Sequence, residues 1–110
     1  ATGKSRAGLN RSFKSSGLGS FFHASRCADE TFSKPHPAML LELLSQLNVK
    51  ATRTLMIGDT THDLQMAINA CVSGVGVTYG AHPKKRLETL APLACVESVA
   101  QLHLWLNANI

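Results

Sequence analysis

Apolar positions fall into two rhythms along this chain. In PAMLLELLSQLN, residues 37–48, Met39, Leu40, Leu43, Leu44 and Leu47 recur at the three- and four-residue spacing of one buried helical stripe. Residues 54–57 instead run apolar without interruption into Gly58-Asp59, the pattern of a strand buried on both faces that ends in a loop. A second helix is predicted over 63–70, with Leu64, Ala67, Ile68 and Cys71 turned inward. Val75, Val77 and Tyr79 alternate with Gly76 and Thr78 as a second strand. Residues 83–90 open on a proline and read as a basic, weakly amphipathic helix. Residues 94–96 read as a short strand, and a terminal helix from Ser98 should bury Val99, Leu102 and Leu106. Ahead of these, residues 5–16 are polar with Leu9 and Phe13 four apart, and Gly17-Leu18-Gly19 supplies a helix stop. Residues 21–25 suggest another strand, followed by a polar stretch holding Pro35 and Pro37.

Strands alternating with helices of this length imply an α/β fold with a parallel sheet and right-handed crossovers. In such sheets ligands bind beyond the carboxyl ends of the strands. The residues that follow each apolar run are therefore where chemistry is expected.

Composition narrows the class. With 45% hydrophobic and 16% charged residues, 110 residues suit one ordinary globular domain. No apolar run approaches the roughly 18 residues needed to span a bilayer, and the first residues lack the apolar core of a signal peptide. The expected compartment is therefore cytoplasmic, with no membrane partner. Cys27, Cys71 and Cys95 form no C-x-x-C pair and read as buried, reduced thiols. The net charge of +4 is uneven, since Lys4, Arg6, Arg11 and Lys14 all precede the first acid, Asp29. A solvated helix face is the favoured reading. Nucleic acid is disfavoured because no aromatic residues are patterned among those bases to stack on. Nothing in the pattern sets an oligomeric state.

Thr2 at the very start, Lys34 in a loop, and Asp59 with Asp63 after the most apolar strand offer a hydroxyl, a cation and two carboxylates at strand ends. Two carboxylates about 4 Å apart repel by about 4 kcal/mol at an effective dielectric near 20, so a shared site favours a cation or a proton. Hard oxygen ligands beside a phosphate suggest Mg²⁺. Lys34 would neutralise a phosphoryl oxygen, and Thr2 with the first amides of the following helix would hold another.

The stretches ATGKS, SKPHP and IGDTTHDLQMAINA closely resemble motifs II, III and IV of the haloacid dehalogenase superfamily, in particular its phosphoglycolate-phosphatase-like branch. The resemblance covers the whole chain. It implies a three-layer Rossmann-like core of which residues 1–110 form the C-terminal portion, a Mg²⁺ cofactor, and a small phosphorylated metabolite as substrate. It further implies that Thr2 and Gly3 bind the phosphoryl group, that Lys34 offsets its charge, and that Asp59 and Asp63 hold or orient the metal. In that family hydrolysis proceeds through an aspartyl-phosphate on the first Asp of D-x-D-x-T, yet the aspartates here are Asp29, Asp59 and Asp63 alone. The nucleophile motif, a substrate-selecting cap and two core strands are thus expected upstream of Ala1, leaving the isolated chain without turnover. Cys71 stands where relatives usually carry a glycine whose φ is often positive.

Two other readings compete. Gly3-Lys4-Ser5 resembles the end of a P-loop, but Arg6 and Arg11 keep the next helix polar where a P-loop helix turns apolar. Alternatively, the fold is retained as a phosphate- and Mg²⁺-binding or regulatory module without turnover.

Overall fold

A computed structural model describes residues 1–110. Its elements run α1 (Arg6–Ser16), α2 (Ala38–Leu47), β1 (Leu55–Gly58), α3 (Thr61–Asn69), β2 (Ser73–Val77), α4 (Lys84–Glu88), β3 (Cys95–Val96) and α5 (Val99–Asn109), with short 3₁₀ turns at Gly19–Phe21 and Ala51–Arg53. The three strands form one parallel sheet in the order β1-β2-β3. Leu55 lies opposite Ser73 and Gly58 opposite Gly76, while Gly76 and Val77 pair with Cys95 and Val96.

Alternation along β2 sorts the layers. A side chain at Gly74 would meet Leu64 of α3, and one at Gly76 would meet Leu87 of α4, so the glycines let these helices sit close on one face. Val75 and Val77 point the other way, packing with Val96 against Leu55, Leu102 and Trp105. Helices α3 and α4 thus cover one face of the sheet and α5 the other, giving three layers. A second cluster joins Met39 and Leu40 of α2 to Met66, Ala67, Ala70 and Val72. Full burial of Met39, Met66 and Leu87 contributes about 1.5–3 kcal/mol each.

Helix ends follow local chemistry. Ser5 caps α1 by accepting from the Gly8 amide at 3.0 Å, and Gly17 closes it at φ 70°. Asn48 closes α2 at φ 53°. Past α3, Cys71 adopts φ 59°, the left-handed conformation that favours glycine.

Several expectations need correction. Residues 21–25 form no strand: the 3₁₀ turn occupies Gly19–Phe21, and the extended segment lies further on, where Cys27 makes one parallel bridge with Thr2. That shift buries Cys27 completely and leaves Phe21 and Phe22 largely exposed. In α2 the stripe is buried at Met39 and Leu40, but Leu47 is exposed because no element covers the last turn. In α3 the inward residues are Asp63, Leu64, Met66 and Ala67, whereas Ile68 is exposed. Val99 is exposed too, since α5 meets the sheet through Leu102 and Trp105. Of the cysteines only Cys27 is buried; Cys71 is exposed and Cys95 lies between. Lys4, Arg11 and Lys14 are solvated, but Arg6 is not free. Its guanidinium bonds both Glu30 oxygens, at 2.7 and 3.2 Å, and Ser25 Oγ at 2.9 Å.

Candidate active site

At the carboxyl end of β1 the chain turns directly into α3, and that junction organises the site. Thr60 is the N-cap of α3; its Oγ1 accepts from the Asp63 amide while Asp63 Oδ2 accepts from the Thr60 amide, both at 3.2 Å. This reciprocal box fixes the first turn. It also pulls Asp63 inward until it is 5% exposed, the one buried charged residue in the chain. Gly58 permits this, because a Cβ there would collide with the Asp63 carboxylate.

Lys34 meets that carboxylate. Its Nζ donates to Asp63 Oδ1 at 2.6 Å, while Oδ2 accepts from the Asp59 and Thr60 amides and from Thr60 Oγ1 at 3.2, 3.2 and 3.0 Å. Both oxygens of Asp63 are therefore engaged. Burial by itself would raise the Asp63 pKa; the Lys34 hydrogen bond and charge, helped by Thr60, outweigh it and hold the carboxyl below its ordinary value. The loop that carries Lys34 is tied to α3, with Asn69 Nδ2 donating to the Pro35 carbonyl at 3.0 Å and Gln65 Nε2 donating to Asn69 Oδ1 at 2.9 Å.

Asp59 is held differently. The Ala81 amide donates to its Oδ2 at 2.9 Å, the His82 amide donates to its carbonyl at 3.0 Å, and no hydrogen bond engages Oδ1. Gly80 packs so tightly on Asp59 that a Cβ would collide with the carboxylate. Asp59, Lys34, Asp63, His62, Ser33 and Gly3 are among the residues lining an open cavity of about 440 Å³. Four of the five sequence-selected residues, Gly3, Lys34, Asp59 and Asp63, thus converge on one polar cleft.

Thr2 stands one residue behind that lining. Its amide donates to the Arg26 carbonyl at 3.0 Å and its Oγ1 accepts from the Lys4 amide at 3.1 Å. Two of the first amides of α1 already have partners, since Asp29 Oδ1 accepts from the Arg6 amide at 2.9 Å and Ser5 Oγ from the Gly8 amide at 3.0 Å. Sequence reasoning also passed over Gly80 and Ala81, although they lie just past an apolar strand, where ligand-facing residues were sought.

No three His, Cys, Asp or Glu side chains are grouped closely enough to hold a metal ion by themselves. The donor chemistry still suits Mg²⁺, which takes one or two carboxylates and completes its shell with water and substrate oxygen. Asp59, with Oδ1 open, fits that role, whereas Asp63, engaged at both oxygens, fits the task of holding Lys34 and the Asp59 backbone in place.

Comparison with known proteins agrees with this architecture. A family model described as haloacid dehalogenase-like hydrolase matches residues 1–77. A protein of Dickeya dadantii named "Probable phosphatase IndB" is 38% identical over 103 residues, covering 93% of this chain and 45% of that protein. A phosphoglycolate phosphatase of Colwellia psychrerythraea is 38% identical over 69 residues, covering 63% of this chain and 30% of its own length. The crystal structure of a predicted phosphatase from Clostridium acetobutylicum superposes with a TM-score of 0.89 at 25% identity, over 98% of this chain and 50% of that one. The chain spans half or less of the length of each.

Proposed function

Given that the chain belongs to the haloacid dehalogenase-like hydrolase family, we propose that it supplies the phosphate-binding and metal-binding half of a Mg²⁺-dependent phosphate monoester hydrolase. One observation carries the reading: the Lys34–Asp63 pair sits beside the open carboxylate of Asp59 in a polar cleft at a strand end. The nucleophilic aspartate would come from protein outside these 110 residues, and its attack on phosphorus would expel the alkoxide and leave an aspartyl-phosphate for water to cleave.

Within that scheme each residue has a distinct task. Lys34 gives one of its three ammonium protons to Asp63, which leaves two to hydrogen-bond phosphoryl oxygens as negative charge gathers there. Asp63 fixes the direction of that ammonium and keeps it from swinging into solvent. Asp59 would hold Mg²⁺ through Oδ1, and the bound ion would neutralise phosphoryl charge. Gly3 offers backbone at the cleft, and the Thr2 hydroxyl would reach a phosphoryl oxygen by giving a proton that its present partner, the Lys4 amide, leaves free. The substrate class is a small phosphorylated metabolite, in keeping with the relative named phosphoglycolate phosphatase.

The test joins residues 1–110 to the part of the Dickeya dadantii relative that this chain does not match and follows p-nitrophenyl phosphate hydrolysis. Mg²⁺-dependent turnover is expected, falling by about 10²–10³ in Lys34→Ala. Turnover that is indifferent to Lys34→Ala, or equally fast with the 110-residue chain alone, would overturn the assignment. No helix is long and apolar enough to cross a membrane.

A further inference from the structure

The loop after β2 makes two hydrogen bonds to the candidate metal ligand Asp59 and one to the start of α3. From that loop the Ala81 amide reaches Asp59 Oδ2, the His82 amide reaches the Asp59 carbonyl, and the His82 ring returns to the start of α3, where Nδ1 accepts from the Thr61 amide at 3.0 Å. Thr61 is the first residue of α3, and its amide has no partner within the helix. The Thr60 and Asp63 amides are already satisfied by the capping box, so His82 supplies what the box leaves out. Accepting at Nδ1 requires a neutral imidazole with its proton on Nε2.

Resting on the phosphatase reading, we propose that His82 is a positioning residue for Asp59: its main chain and its Nδ1 together lock the β1–α3 turn so that only Asp59 Oδ1 remains open toward the cleft. The two attachments lie on either side of the turn, one at the Asp59 carbonyl and the other at the Thr61 amide. Removing the ring frees the Thr61 side, lets the turn rotate, and allows the Asp59 carboxylate to leave the Ala81 amide. Asp63 Oδ2 also bonds this turn, but the Lys34 contact is made through Oδ1, so the effect falls first on Asp59 and on metal affinity. Gly80 gives the loop its close approach, since any side chain there would displace the same carboxylate.

Three variants separate positioning from general packing. Asn places its Oδ1 where His places Nδ1, so His82→Asn keeps the acceptor; Gln places its acceptor one bond further out, and Leu has none. In the 110-residue chain, amide exchange at Thr61, followed by NMR, should quicken by about tenfold in His82→Leu and return toward the parent rate in His82→Asn but not in His82→Gln. Imidazole nitrogen shifts should show Nδ1 unprotonated in the parent. In the chimera with the relative's unmatched part, His82→Leu should raise the Mg²⁺ concentration for half-maximal rate by about tenfold, with the rate at saturating Mg²⁺ little changed. Unaltered Thr61 exchange in His82→Leu, or rescue by Gln as good as by Asn, overturns the inference. A chimera with no turnover even before substitution would instead count against the phosphatase reading, and Thr61 exchange would still decide the role of His82.

Discussion

Replacing Lys34 by Met keeps most of the aliphatic stem while deleting the ammonium, and so isolates the charge pair. At 2.6 Å and an effective dielectric near 20, the gross attraction to Asp63 is about 6 kcal/mol. Much of that is offset by desolvation, since the Asp63 side chain is 7% exposed and that of Lys34 20%. Removing one partner of a buried pair typically costs about 3–5 kcal/mol. The lower end is expected here, about 3 kcal/mol, because Asp63 keeps three donors on Oδ2. Urea unfolding followed by circular dichroism should show the midpoint falling by about 2 M for a slope of about 1.5 kcal/mol/M. The sign of the pH dependence follows from the depressed Asp63 pKa. The pair contributes fully above the ordinary carboxylate pKa and is lost as pH falls through the lower folded value. The gap between parent and Lys34→Met should therefore close on acidification, and Lys34→Met/Asp63→Asn should be more stable than Lys34→Met. A loss under about 1 kcal/mol near neutral pH, or a gap that does not change with pH, would refute the reasoning.

Other substitutions probe separate parts of the fold. Cys71→Gly should stabilise by about 0.5–1 kcal/mol in urea unfolding, because Cys71 holds φ 59° while exposed and buries no side chain that glycine would lose. Gly80→Ala should destabilise by about 1–3 kcal/mol in urea unfolding and cut chimera activity at least about tenfold, since the added methyl displaces the Asp59 side chain. Glu30 is held at a pKa of about 2, first by the Arg6 hydrogen bond and then by the Cys27 amide. Carboxyl NMR titration should find it there in the parent and nearer its ordinary value in Arg6→Ala; the linked stability is present above that ordinary value and disappears as pH drops through about 2. Thr60→Ala should cost about 1 kcal/mol in the same unfolding assay by opening the capping box.

Much of the sheet and its helices was legible in the sequence because burial writes itself as periodicity. The TLMI run and the 75–79 alternation located β1 and β2 to within two residues. The same logic misassigned residues 21–25, whose aromatic run looks like a strand but has no strand to pair with, the one bridge lying beyond it at Cys27. Val99 and Ile68 fit a helical stripe in one dimension, yet which side of a helix is covered depends on partners that periodicity does not name. At the candidate site, that Lys34, Asp59 and Asp63 lie together was legible through their order along the chain and the place of the two aspartates after β1. Their hydrogen bonding was not, because it joins segments 29 residues apart and brings in a loop 22 residues beyond Asp59.

The capping box of α3 has one further consequence. Asp63 closes the first turn of a helix and receives the lysine with the same carboxylate. Local folding and assembly of the cleft are therefore a single event rather than two that can be adjusted separately. For an evolving or engineered sequence this ties Asp63 down: only a residue that still accepts from the Thr60 amide, as Asn can, spares the helix start. Room for divergence lies instead at His62, which is exposed on the wall of the same cleft and carries no part of the box. New specificities would be expected to arise there first, on a frame that can itself vary little.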